Sequence, residues 1–211
     1  MRKLENVKFK SFLSNYKKPL SNKYFLIFLI FGAIIISSES TLTNYISVKL
    51  SKNFSDFFFN QYINGTLMLS ILRIINTTII VFCTFLISKI IKNIPIKNTF
   101  IFGALLYSFS YIFMPINLNF WTLIILIILA TIGEIIFAPG YQTIKVSFME
   151  ENYTASYSAL ASISVQISSA IASFYLLIDN YINDGAIFFL MSVLSVLSIF
   201  ILKFITRVAN I

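Results

Sequence analysis

Glu39, Arg73 and Glu134 interrupt three apolar stretches of a 211-residue chain in which 58% of residues are hydrophobic and 11% charged. In apolar surroundings a carboxylate either attracts a cation or carries a proton, and an arginine either pairs with an acid or holds an anion. Each such residue costs roughly 2.5–3.5 kcal/mol at the centre of a membrane helix, so each needs a partner or a wet cavity. An Arg73–Glu134 ion pair would serve either as a packing clamp or in binding and proton coupling. Glu39 is either an interfacial carboxylate or part of the same site. Gln166 is the remaining polar candidate inside an apolar run. Other chemistries are excluded: with no histidine and one cysteine, Cys83, the chain has no imidazole base, disulfide framework or thiolate metal site. No metal or other cofactor is expected. Cys83 itself lies in an apolar run and reads as inert packing.

The elements that must position these residues are membrane helices. Water-soluble chains are roughly 45–50% apolar and about 25% charged, and the mean hydropathy here is +0.86. Uncharged runs of spanning length fall at 24–46, 63–88, 99–117, 120–141, 156–178 and 185–206. The expected fold is therefore all-α: a six-helix transmembrane domain over 24–206, preceded by a basic juxtamembrane segment over 1–23 and followed by a short tail over 207–211. No room remains for a soluble catalytic domain. Nor do the spans carry a histidine, a Ser/Lys dyad or paired aspartates, so an enzyme is not expected.

The net charge of +8 would suggest nucleic acid in a soluble protein, but its placement assigns it to the bilayer. Thirteen basic residues lie in segments on one side of the spans and only Lys49 and Lys52 on the other. The positive-inside rule then puts both termini in the cytoplasm, with the basic residues facing lipid headgroups. Abundant Ile, Asn, Lys, Phe and Tyr beside only six glycines match an AT-rich coding sequence and a bacterial cell membrane. Trp121 and Tyr141, near span ends, read as interfacial anchors.

Depth follows from the 1.5 Å rise per residue. Arg73 lies about 15 Å into the second span, near the midplane; Glu134 lies about 21 Å down the fourth and Glu39 about 23 Å along the first. Thr66, Ser70, Arg73, Thr77 and Thr84 form one polar stripe at helical spacing. The outer half of the first span, Ser37 to Asn44, is polar nearly all round, as suits a helix beside water or substrate. Serines and alanines of the fifth span, such as Ser158, Ser162 and Ala159, suit close helix packing. Spans three and six hold no charge in their apolar stretches and should face lipid. The result is a three-plus-three arrangement of the kind built from nested repeats in secondary transporters.

The run Gly133-Glu134-Ile135-Ile136-Phe137-Ala138-Pro139-Gly140-Tyr141-Gln142, followed by Glu150-Glu151 and a Ser/Ala-rich span, resembles the tenth helix, inner loop and eleventh helix of major facilitator superfamily transporters. Residues 71–112, with Arg73, Asn76 and the basic stretch Lys89–Lys97, are similar to the eighth helix, its loop and the ninth helix. The resemblance covers about residues 20–206 and is strongest to the C-terminal half of drug and metabolite exporters. It implies half of an alternating-access bundle that moves small molecules by secondary active, proton-coupled efflux. Glu39, Arg73, Asn76, Glu134 and Gln166 would be substrate or coupling residues, with Glu134 the leading protonatable site. Such a half implies a partner, either a second six-helix half or another copy of itself. The competing expectation is a membrane scaffold, an immunity-type protein or a truncated inactive subunit that transports nothing.

Overall fold

The computed structural model describes residues 15–58 and 61–208. Most of the basic segment over 1–23, including Arg2, Lys3, Lys8 and Lys10, and the last residues of the tail lie outside the described residues. Residues 15–21 are helical (α1). There follow α2 (Lys23–Thr41), a π-helical stretch Leu42–Ile46, α3 (Ser47–Asn53), strands β1 (Ser55–Phe58) and β2 (Gln61–Asn64), α4 (Gly65–Ile91), α5 (Ile96–Phe113), α6 (Phe120–Ser147), α7 (Thr154–Ile178) and α8 (Asp184–Val208).

Asparagine marks the helix starts. The Asn22, Asn64 and Asn119 side chains accept from backbone N–H groups in the first turns of α2, α4 and α6, and Asn183 does the same for Ala186 at the start of α8. Each cap satisfies donors that would otherwise be orphaned where water is scarce.

The chain is a multi-pass membrane protein. Among the described residues, five helical segments are long and apolar enough to cross a bilayer: α2 continued through α3, then α4, α6, α7 and α8. The sixth expected span is α5, 18 residues long, whose first turn carries Lys97 and Asn98. Two boundaries differ from expectation. The first span continues through the π-helical stretch to Asn53, because Lys49 and Leu50 are buried and bonded rather than looped out. The fourth runs on to Ser147, with Pro139 inside it. An antiparallel hairpin, Ser55 opposite Asn64, is the one strand pairing among the described residues.

In the bundle α2 packs against α5, α7 and α8, while α6 lies between α5 and α4. Glycines set the α5–α6 seam. A Cβ on Gly133 would stand 2.5 Å from the Tyr107 backbone nitrogen, and one on Gly103 2.5 Å from that of Phe137. Small residues here let α5 and α6 approach backbone to backbone. Stacked rings fill the remaining space: Phe100 and Tyr107 lie over Phe137, which tilts against Tyr141, which in turn stacks on Phe28 at 4.9 Å.

Partners at the two ends of the helices define the bundle's ends. At one, Lys18 pairs with Glu150 at 3.3 Å and Asn22 donates to the Phe148 carbonyl. At the other, Phe58 of the hairpin stacks on Phe120 and meets Trp121 edge-on. Beside α3, buried Lys49 pairs with Asp179 at 3.9 Å and with Asp184, and Tyr45 donates to Asp179 at 3.1 Å.

Helix α4 is the outlier. Only Gly65, Met68 and Leu72 are buried along its 27 residues, and Phe82 and Phe85 are more than 70% exposed. The two helices whose apolar stretches are uncharged, α5 and α8, are each exposed along one side. Phe102 of α5 and Phe189, Phe200 and Phe204 of α8 point outward, but the other face of α5 buries Phe100, Tyr107 and Tyr111 in the bundle.

Candidate functional site

Four helices, α2, α5, α6 and α7, meet at one cavity of about 180 Å³, with Ala161, Ser164 and Val165 lining it from α7. Glu39 reaches it from α2, Tyr107 from α5, and Glu134, Tyr141, Gln142 and Lys145 from α6. The α6 residues follow from helical periodicity: positions 134, 138, 141, 142 and 145 recur at steps of four, three, one and three along one face. The cavity thus has two carboxylates toward one end of that face and a lysine toward the other.

The carboxylates are held by neutral donors. The Tyr107 hydroxyl donates to Glu39 Oε2 at 3.0 Å. Asn76 of α4 donates to Glu134 Oε2 at 3.4 Å and to Thr131 Oγ1 at 2.9 Å. Thr131 in turn donates to the Ile127 carbonyl, so Asn76 adds a polar tie to the packing of α4 on α6. Among the described residues, no ion pair includes Glu39 or Glu134.

Arg73 does not pair with Glu134. Its guanidinium donates to Thr43 Oγ1 at 2.5 Å, and the intervening Asn76, one turn along the same helix, is what reaches the acid. Gln166 is exposed on α7 and is not part of the cavity lining. The polar stripe of α4 stays on its open side, where Ser70 and Thr84 donate to carbonyls of their own helix.

Two readings of polar residues change. Much of the polar outer part of α2 serves helix packing: Ser40 meets Ser168 at 3.3 Å, and Asn44 of the π-helical stretch donates to the Ser169 carbonyl and to Ser173. Tyr141 is not an interfacial anchor. It is buried on Phe28, in a slot opened by Gly32, where a Cβ would come within 2.7 Å of its ring. Trp121 does stand 60% exposed at a helix start, as an anchor should. The sequence does not mark Tyr107, because the apolar stretch of its helix carries no charge. The available signal was Tyr107 and Tyr111 one turn apart, on the face that also holds Phe100, Gly103 and Ala104.

Comparison with known proteins accounts for this architecture. A model of the Major Facilitator Superfamily matches residues 2–173. A Na(+), Li(+), K(+)/H(+) antiporter of Planococcus maritimus is 25% identical over 195 residues, covering 90% of this chain and 46% of that protein. The chain therefore spans about half the length of the curated relative it matches. Two crystal structures of POT family transporters share the fold. One, in complex with 5-aminolevulinic acid, matches at a TM-score of 0.69 and 20% identity over 88% of this chain and 41% of its own. The other, in complex with a thioalcohol-conjugated peptide, matches at 0.70 and 16% over 90% and 42%. With apolar spanning helices around a carboxylate-lined cavity and a family match over most of its length, this chain belongs to the major facilitator superfamily.

Proposed function

We propose that the chain is a six-helix bundle of a secondary transporter, with α5 as its sixth span, and that it moves small molecules by proton-coupled efflux. The observation that carries this reading is the placement of Glu39 and Glu134. They come from different helices, line one cavity, and have tyrosine and asparagine donors instead of a counter-ion. A carboxylate clamped to an arginine stays charged; one held by neutral donors beside a cavity is free to take up a proton or a cationic substrate. The likeness to an antiporter that exchanges cations for protons supports the same chemistry. Glu134, bonded through Asn76 to the loosely packed α4, is the principal coupling site. Arg73, Asn76 and Gln166 act around it as polar residues of the transport path.

In this reading the bundle lies in a bacterial cytoplasmic membrane with both termini inside. It works with a second six-helix half or a second copy, docked where α4 and the polar face of α7 stand uncovered. The exposed Val81, Phe82 and Phe85 of α4 and exposed Gln166 of α7 support that placement. A non-transporting subunit would have no use for two unpaired acids at one cavity.

The test is proton-driven accumulation of ethidium in inside-out vesicles carrying the chain. Glu134→Gln should abolish it while leaving expression and thermal stability unchanged. Accumulation at the wild-type rate in that variant contradicts the proposal.

A further inference from the structure

The cavity has two acids but a single hydroxyl bonded to either of them. Tyr107 comes from α5, which carries no charge in its apolar stretch, and is 2% exposed, yet its hydroxyl emerges at the cavity and donates to Glu39 at 3.0 Å. Its placement is over-determined. Gly133 lets α6 lie against its backbone, with only 2.5 Å for any added Cβ. Phe137 stacks on its ring at 5.7 Å and 16°, and Tyr111 meets it edge-on at 5.3 Å. The ring therefore has no freedom to leave without parting α5 from α6. Glu39, by contrast, is exposed on α2, just before the π-helical stretch Leu42–Ile46, and has no other bonded partner among the described hydrogen bonds. A flexible acid is thus bonded to a rigid phenol. Local π-helical turns recur where helices serve function, and here one lies within a turn of the acid.

We propose that Tyr107 is a positioning residue for proton coupling. Its fixed hydroxyl holds the Glu39 carboxylate at the cavity, on the same side as Glu134, so that both acids address one bound substrate or proton. The proposal rests on the transport reading above and adds to it a role for a helix that the charge pattern leaves out. An ionic hydrogen bond of this kind is worth enough to change a rate about tenfold when it is removed.

Tyr107→Phe separates this role from packing, since the ring and its stacking on Phe137 remain. In vesicles carrying the full chain, proton-driven ethidium accumulation and downhill ethidium counterflow without a proton gradient are measured side by side. Tyr107→Phe should lower driven accumulation about tenfold while leaving counterflow within about twofold of wild type. In a Glu39→Gln background, where coupling through that acid is already lost, adding Tyr107→Phe should change neither rate further. Equal losses of driven accumulation and counterflow, or no loss in either, overturn the proposal. If Glu39→Gln alone leaves driven accumulation intact, the coupling role of Glu39 falls first and the positioning role falls with it. Failure of the positioning role alone shows instead as a defective Glu39→Gln beside an unimpaired Tyr107→Phe.

Discussion

Two clusters of ionisable groups lie within this bundle, and they are organised in opposite ways. Beside α3, Lys49 is buried against two aspartates and over the Tyr45 ring at 5.5 Å, so positive and negative charge are brought together. In the cavity between α2, α5, α6 and α7, Glu39 and Glu134 are held by a tyrosine and an asparagine, and among the described residues neither acid is in an ion pair. The first arrangement locks α3 to the α7–α8 connection. The second leaves negative charge without compensation, which a packing role does not require. In the proposed reading, charge that is neutralised on the spot belongs to the scaffold and charge left open belongs to transport.

The contrast can be broken at either end. The largest stability effect should come from Lys49→Met, which strands Asp179 beside Tyr45 and should cost about 3 kcal/mol. Reversible unfolding in detergent measures it, and adding Asp179→Asn and Asp184→Asn should restore most of the loss. A Lys49→Met protein as stable as wild type would mean the cluster is no clamp. Smaller still should be the coupling between Arg73 and Glu134. Because Arg73 bonds Thr43 and not the acid, a double-mutant cycle of Arg73→Ala and Glu134→Ala should be additive to within about 0.5 kcal/mol. A larger coupling would restore the clamp as an explanation for both charges.

Much of this organisation is legible before any coordinates. Hydropathy locates the five helical segments long and apolar enough to span among the described residues, since the bilayer demands long uncharged runs, and the cost of an intramembrane charge picks out Glu39 and Glu134. Pairing is a different matter. Lys49 looks like an outer-loop residue because it follows the end of an apolar run and lies three residues from Lys52. Its burial depends on a π-helical extension and on two aspartates about 130 residues away, and no local pattern encodes either. Arg73 and Asn76 lie one turn apart on α4, and spacing alone does not say that Asn76 meets Glu134 while Arg73 meets Thr43. Tyr107 escapes notice for the opposite reason. A tyrosine in an uncharged helix looks like packing until Gly133 and Gly103 bring α5 hard against α6. Tyr141, near a span end, reads as an interfacial anchor in the same way, although Gly32 opens a slot for it inside.

The most direct test of the open-charge reading is a count of protons. Purified chain in weakly buffered detergent solution is mixed with ethidium, and proton release is followed with a pH-indicating dye. If Glu39 and Glu134 hold exchangeable protons at the cavity, ethidium binding by the wild-type chain releases protons, and the Glu39→Gln, Glu134→Gln double variant releases none. Undiminished proton release from the double variant would contradict the assignment of coupling to these two acids.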